Sequence, residues 1–141
     1  MEASDQAIIT IETTVQAPVE KVWAYWNEPQ HITKWNTASE EWHTTKAEND
    51  LRVGGNFSSR MEAKDGSFGF DFGGVYDEVN VNELIAYTMG DGRKVKITFT
   101  SEGDTTKIVE VFDAEASNPV EMQQAGWQAI LNNFKKYSES N

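Results

Sequence analysis

Apolar and polar residues alternate over residues 7–15, with Ile9, Ile11 and Thr13 on one side and Ile8, Thr10 and Glu12 on the other. That is the period of a strand with two unlike faces. Ala17-Pro18 ends it, and Pro18 suits the opening of a helix because its φ is already fixed. Val19, Val22, Trp23 and Trp26 then recur at helical spacing, and Pro29 interrupts, so a second short helix is predicted to carry Ile32 and Trp35. Beyond these the alternation returns, punctuated by Asp65-Gly66, Asp91-Gly92 and Gly103-Asp104. Such pairs tolerate positive φ and favour tight hairpins.

Reading each pair as a two-residue turn fixes the strand register. Met61 then faces Phe70 and Ser59 faces Phe72 across the first hairpin. Ala86 faces Ile97 and Leu84 faces Phe99 across the second; Phe99 faces Ile108, Ile97 faces Glu110 and Val95 faces Phe112 across the third. A slip of one residue would move each apolar set to the opposite face. The last element is a helix of roughly 20 residues, about 30 Å long. Asn118 is its expected cap, with Pro119 in the first turn and Glu121 completing a capping box. Val120, Met122, Gly126, Trp127, Ile130, Leu131, Phe134 and Tyr137 fall on one broad face, opposite Glu121, Gln124, Gln128 and Lys135.

With 141 residues the chain suits a single domain, read as residues 7–138 after a flexible start at 1–6. A net charge of −11 repels phosphate backbones and anionic headgroups, which argues against nucleic acid and membrane partners. The absence of cysteine removes disulfides, thiolate nucleophiles and thiolate metal sites. No apolar run approaches the ~18 residues of a membrane span. The polar, acidic N-terminus is unlike a signal peptide, so a cytoplasmic location is expected. The two histidines, His31 and His43, lie on different elements with no ligand spacing to Glu40 or Glu41, so neither metal nor cofactor is expected. Gly54-Gly55 lacks the Lys-Ser/Thr of a phosphate loop and is read as permitting a bulge or a tight bend at a strand start.

One strand, two short helices, six further strands and a long C-terminal helix is the element order of the START/SRPBCC helix-grip superfamily. The chain resembles its branch of activator of heat shock protein 90 ATPase homologue-like proteins. The likeness rests on Ala17-Pro18-Val19-Glu20-Lys21-Val22-Trp23, His31-Ile32-Thr33-Lys34-Trp35, Gly54-Gly55-Asn56-Phe57, Asp91-Gly92-Arg93 and Gly126-Trp127. The resemblance implies an α+β helix-grip fold, with a curved antiparallel sheet of about seven strands gripping the last helix and a cavity between them. Members of the superfamily use that cavity for apolar compounds. In the chaperone activators a separate N-terminal domain carries much of the chaperone contact. Only about six residues precede the first strand here, so stimulation of a chaperone ATPase by this chain alone is not expected.

Within such a fold, Phe57, Met61, Phe70, Phe72, Ile97, Phe99, Gly126, Trp127 and Ile130 are candidate ligand-binding positions. Trp35 and Trp42, flanking the polar stretch 36–41, either cap the cavity mouth or seal the core. Glu110 is the most informative residue, because the register turns it inward between Ile108 and Phe112. An isolated buried carboxylate demands a partner or a raised pKa. Gln123, central on the helix's apolar face, also needs partners, so the two are read either as polar anchors in the cavity or as a structural polar pair. Arg60 could clamp a ligand, but the register places it opposite Asp71 on the outer face, which favours a cross-strand ion pair. The favoured function is binding of a small apolar or amphipathic molecule without turnover. The alternatives are a cyclase or hydrolase-like enzyme with Glu110 as general acid or base, and a protein-interaction module related to the chaperone activators.

Overall fold

A computed structural model describes residues 7–37, 40–116 and 118–141; the expected flexible start at 1–6 lies outside the described residues. The chain runs β1 (Ile8–Val15), α1 (Val19–Asn27), α2 (Pro29–Trp35), β2 (Trp42–Asn49), β3 (Asn56–Ala63), β4 (Gly69–Asn80), β5 (Leu84–Met89), β6 (Lys94–Glu102), β7 (Thr105–Asp113) and α3 (Val120–Ser140). The strands form one antiparallel sheet in the order β1-β7-β6-β5-β4-β3-β2. From β2 onward each strand pairs with its successor, while α1 and α2 carry the chain from one sheet edge to the other.

Two interruptions bend the sheet. The register shifts between Thr44 and Lys46 on β2 and between Tyr76 and Glu78 on β4, and such bulges increase local twist and curvature. On β4, Gly73 and Gly74 let neighbouring backbone come close: a Cβ would stand 2.3 Å from the Phe57 carbonyl oxygen and 2.5 Å from that of Thr88. The Gly54-Gly55 bend is equally tight, since a Cβ on Gly55 would meet the Asp50 carbonyl oxygen at 2.1 Å.

The first and third hairpins take the expected register, with Met61 opposite Phe70, Phe99 opposite Ile108 and Ile97 opposite Glu110. The second does not. Its loop holds three residues, because the Met89 N–H donates to the Arg93 carbonyl and the Gly92 N–H to the Met89 carbonyl. Gly92 takes φ +94°, the left-handed conformation that completes a three-residue hairpin loop. Ile85 therefore faces Ile97 and Tyr87 faces Val95, and Ile85, Tyr87 and Met89 point inward in place of Leu84 and Ala86.

The long helix starts on Pro119 as N-cap, with no side-chain cap bond. Asn118 instead turns its amide to the Glu115 carboxylate, so the expected capping box does not form. The buried stripe of α3 runs through Gln123, Leu131, Phe134 and Ser138, with Trp127, Ile130 and Tyr137 partly buried beside it. Val120 and Met122, expected on that face, are exposed: Val120 precedes the first buried residue, and Met122 lies about 100° round from Gln123. The C-terminal half of α3 is held by rings from α1 and α2, with Phe134 edge-on to both Trp26 and Trp35. Phe112, Phe134, Ile85, Ile97, Ile108 and Leu131 are among the largest fully buried side chains. No helix among the described residues is long and apolar enough to cross a membrane.

Candidate functional site

The N-terminal half of α3 stands off from the sheet. Trp127 stacks on Phe112 at 3.9 Å between ring centroids and meets Phe72 edge-on at 6.0 Å. These large rings prop the helix over the inward faces of β3, β4 and β5 and border a cavity of about 360 Å³ that opens to solvent. Trp26, Ile32, Trp35, Phe57, Met61, Phe70, Phe72, Ile85, Trp127 and Ile130 supply its apolar wall. Tyr76, Tyr87, Asn27, Asn36, Asn49, Ser59, Glu48, Arg93, Glu110, Glu115, Asn118 and Gln123 supply its polar atoms.

Most of those polar atoms already have partners. The Tyr76 hydroxyl donates to Asn49 Oδ1, and Asn49 Nδ2 donates to the Asn27 carbonyl at 2.7 Å, which ties β4 and β2 to the end of α1. Arg93 holds Asp91 at 2.7 Å. Gln123 accepts from the Glu115 N–H at 2.8 Å and donates to the carbonyls of Glu115 and Asn118 at 3.1 and 2.8 Å. It thus fastens the β7–α3 connection to the helix, and it does not pair with Glu110.

Glu110 faces inward as the alternation predicts and is 4% exposed. Among the described residues no group hydrogen-bonds its carboxyl. Burial alone pushes its pKa up to about 8. Tyr87, 6% exposed, likewise has no hydrogen-bond partner among the described residues. Burial first, and then the charge of Glu110, drive the pKa of its hydroxyl well above the usual phenol value.

Of the residues singled out in the sequence, Trp35, Phe57, Met61, Phe70, Phe72, Glu110, Gln123, Trp127 and Ile130 lie on the cavity wall. Four do not. Phe99 is packed against Trp23 and Trp26 in the solid core under α1. Ile97 is fully buried in the sheet between Ile85 and Glu110. Gly126 has no side chain to reach the cavity, and a Cβ there would meet nothing within 4 Å. Trp42 shares the inward face of β2 but packs on Phe68 and Phe70 at the end of the sheet, beyond the cavity wall. Trp35 lines the cavity and also seals the core, with its Nε1–H on the Tyr25 carbonyl at 2.9 Å.

Tyr87 and Ile85 escaped the sequence reading because of the one-residue error in the second hairpin. Trp26 and Ile32 were visible on apolar helix faces, but nothing local tied them to a cavity. Asn27, Asn36 and Asn49 come together only through long-range contacts, which no sequence signal announces.

Away from the cavity, Arg60 lies opposite Asp71 at 3.6 Å and also pairs with Glu62 at 3.0 Å. His31 stacks on Tyr25 and its Nδ1 is 2.7 Å from the Tyr137 hydroxyl, joining α2 to α3. Among the described residues no cluster of three or more His, Asp or Glu side chains is placed to hold a metal.

A seven-stranded curled antiparallel sheet, closed by a long C-terminal helix over an internal cavity, defines a helix-grip protein. The sequence profile of one family, described as activator of Hsp90 ATPase homolog 1-like protein, matches residues 16–139, and the chain belongs to that family. An AHSA1-like protein from Aeromonas hydrophila, solved by NMR, is 48% identical, with a TM-score of 0.90 over 95% of this chain and 93% of its own. A protein from Cytophaga hutchinsonii is 65% identical, with a TM-score of 0.81 over 94% of this chain and 92% of its own. A protein from Chromobacterium violaceum shares 26% identity and a TM-score of 0.85, over 96% of this chain and 99% of its own. No curated protein matches the chain.

Proposed function

We propose that this protein binds a small, mostly apolar molecule in the cavity between the sheet and α3. The observation that carries the reading is an open space of about 360 Å³ in an interior otherwise filled by aromatic side chains. Protein interiors seldom leave voids larger than a water molecule. A ligand that covers the apolar wall removes it from water and gains hydrophobic free energy. The size lies at the lower end of ordinary ligand pockets. Native mass spectrometry of freshly purified protein tests the reading, with a bound small molecule released on denaturation as the expected result. A ligand-free protein that also takes up no apolar compound in titration counts against it.

A second reading has one observation behind it. Glu110, pushed to about 8, sits near the pH at which a general acid or base works best. An enzyme would lose turnover, but not ligand affinity, on Glu110→Gln. A binding protein has no turnover to lose.

A further inference from the structure

We propose that Glu110 and Tyr87 act together as a pair of hydrogen-bond donors that seats the carbonyl oxygen of an otherwise apolar ligand. This rests on the cavity-binding reading and specifies the ligand's chemistry. The sheet register places the two side chains on the same inward face. Glu110 lies opposite Ile97, Ile97 lies opposite Ile85, and Tyr87 is the next inward residue along β5. Both line the cavity, and both are more than nine-tenths buried. Neither has a hydrogen-bond partner among the described residues. Facing the cavity and unbonded to the protein, both groups are available to a ligand's polar atom. Several neighbouring polar groups bond elsewhere: the Tyr76 hydroxyl to Asn49, the Arg93 Nε–H to Asp91, and both Gln123 amide N–H groups to backbone carbonyls.

The chemistry follows from protonation state. Burial is the sole cause of the Glu110 shift, to about 8, so at neutral pH the group is mainly the carboxylic acid. A carboxylic acid kept neutral by an apolar site donates a hydrogen bond, and a phenol does the same. A carbonyl oxygen has two lone pairs and accepts both. A cationic ligand would need the carboxylate, which burial disfavours. The other titratable groups on the wall are Tyr76 from β4, Arg93 from the β5–β6 loop, Glu48 from β2 and Glu115 from the β7–α3 connection. α1, α2 and α3 contribute only neutral side chains to it, and β1 none.

Calorimetric titration with three matched probes tests the proposal: 2-acetylnaphthalene, 2-ethylnaphthalene and protonated 1-(2-naphthyl)ethylamine. At a pH of about 6.5, below the Glu110 transition, the ketone is expected to bind about tenfold tighter than the hydrocarbon, the effect of ~1.4 kcal/mol in hydrogen bonding. Tyr87→Phe, which removes one oxygen and keeps the ring, should shrink that ratio to about threefold or less. In the unsubstituted protein the ketone preference should also fall as pH rises past about 8, where Glu110 ionises. This pH series needs no variant and stands if Tyr87→Phe folds poorly. Equal affinities for ketone and hydrocarbon, or tightest binding of the amine, overturn the donor pair while leaving the cavity-binding function intact. Failure of all three probes to bind overturns both.

Discussion

Replacing Glu110 with glutamine keeps the side chain's shape and removes its ionisation, and the effect on stability can be worked from the structure. In the unfolded chain a glutamate titrates near ~4.3, whereas burial holds Glu110 at about 8 in the fold. Between these values the folded protein retains a proton that the unfolded chain has lost, so stability falls as pH rises. The contribution of the protonated group is complete below ~4.3 and gone above about 8. The limiting slope is ~1.4 kcal/mol per pH unit. At pH 7 the ~2.7 units above the unfolded value correspond to roughly 3–4 kcal/mol, an upper bound because Glu110 faces the open cavity, where its charge is partly screened. Glu110→Gln should therefore be the more stable protein at neutral pH, by about 1–3 kcal/mol, and the two should converge near pH ~4.5. Urea unfolding at half-unit steps from about pH 5 to 8, with the m-value held as a control for compactness, reads this directly. Parallel pH profiles for the two proteins would refute the reasoning.

Three other substitutions probe the frame around the cavity. Phe134→Ala removes a fully buried ring packed on Trp26 and Trp35 and should cost about 3–5 kcal/mol in denaturant unfolding. Gln123→Ala deletes the amide that fastens the β7–α3 connection; a loss of about 1–3 kcal/mol is expected, with faster amide exchange at Glu115 as the local signature. Arg60→Ala removes an ion pair on the solvent face, and its thermal midpoint should stay within error of the parent's.

Much of this architecture was legible in the sequence because its local signals agree with one another. The Gly103-Asp104 pair is a true two-residue turn, so the inward position of Glu110 followed from turn chemistry and alternation together. The Asp91-Gly92 pair carries equal turn chemistry, yet Gly90 joins the loop and shifts the pairing by one residue, which hid Tyr87. Loop length there is decided by which residue takes the left-handed conformation, and the dipeptide alone does not settle that. Gln123 was recognised as a buried amide in need of partners, but those partners sit in the connection just before the helix. A face-by-face reading of elements does not see such a contact. The same holds for Trp42, which shares the inward face of β2 with Thr44 but packs on Phe68 and Phe70 at the end of the sheet, beyond the cavity wall.

The five tryptophans offer the most direct test of the central claim, because the fold divides them. Trp26, Trp35 and Trp127 line the cavity, while Trp23 and Trp42 lie off it. In a nitrogen–proton NMR titration with 2-acetylnaphthalene, the indole N–H signals of Trp26, Trp35 and Trp127 should move together and saturate, with that of Trp23 nearly still. Saturable shifts confined to Trp42, or no saturable shift in any of the five, would contradict a ligand-binding cavity beneath α3.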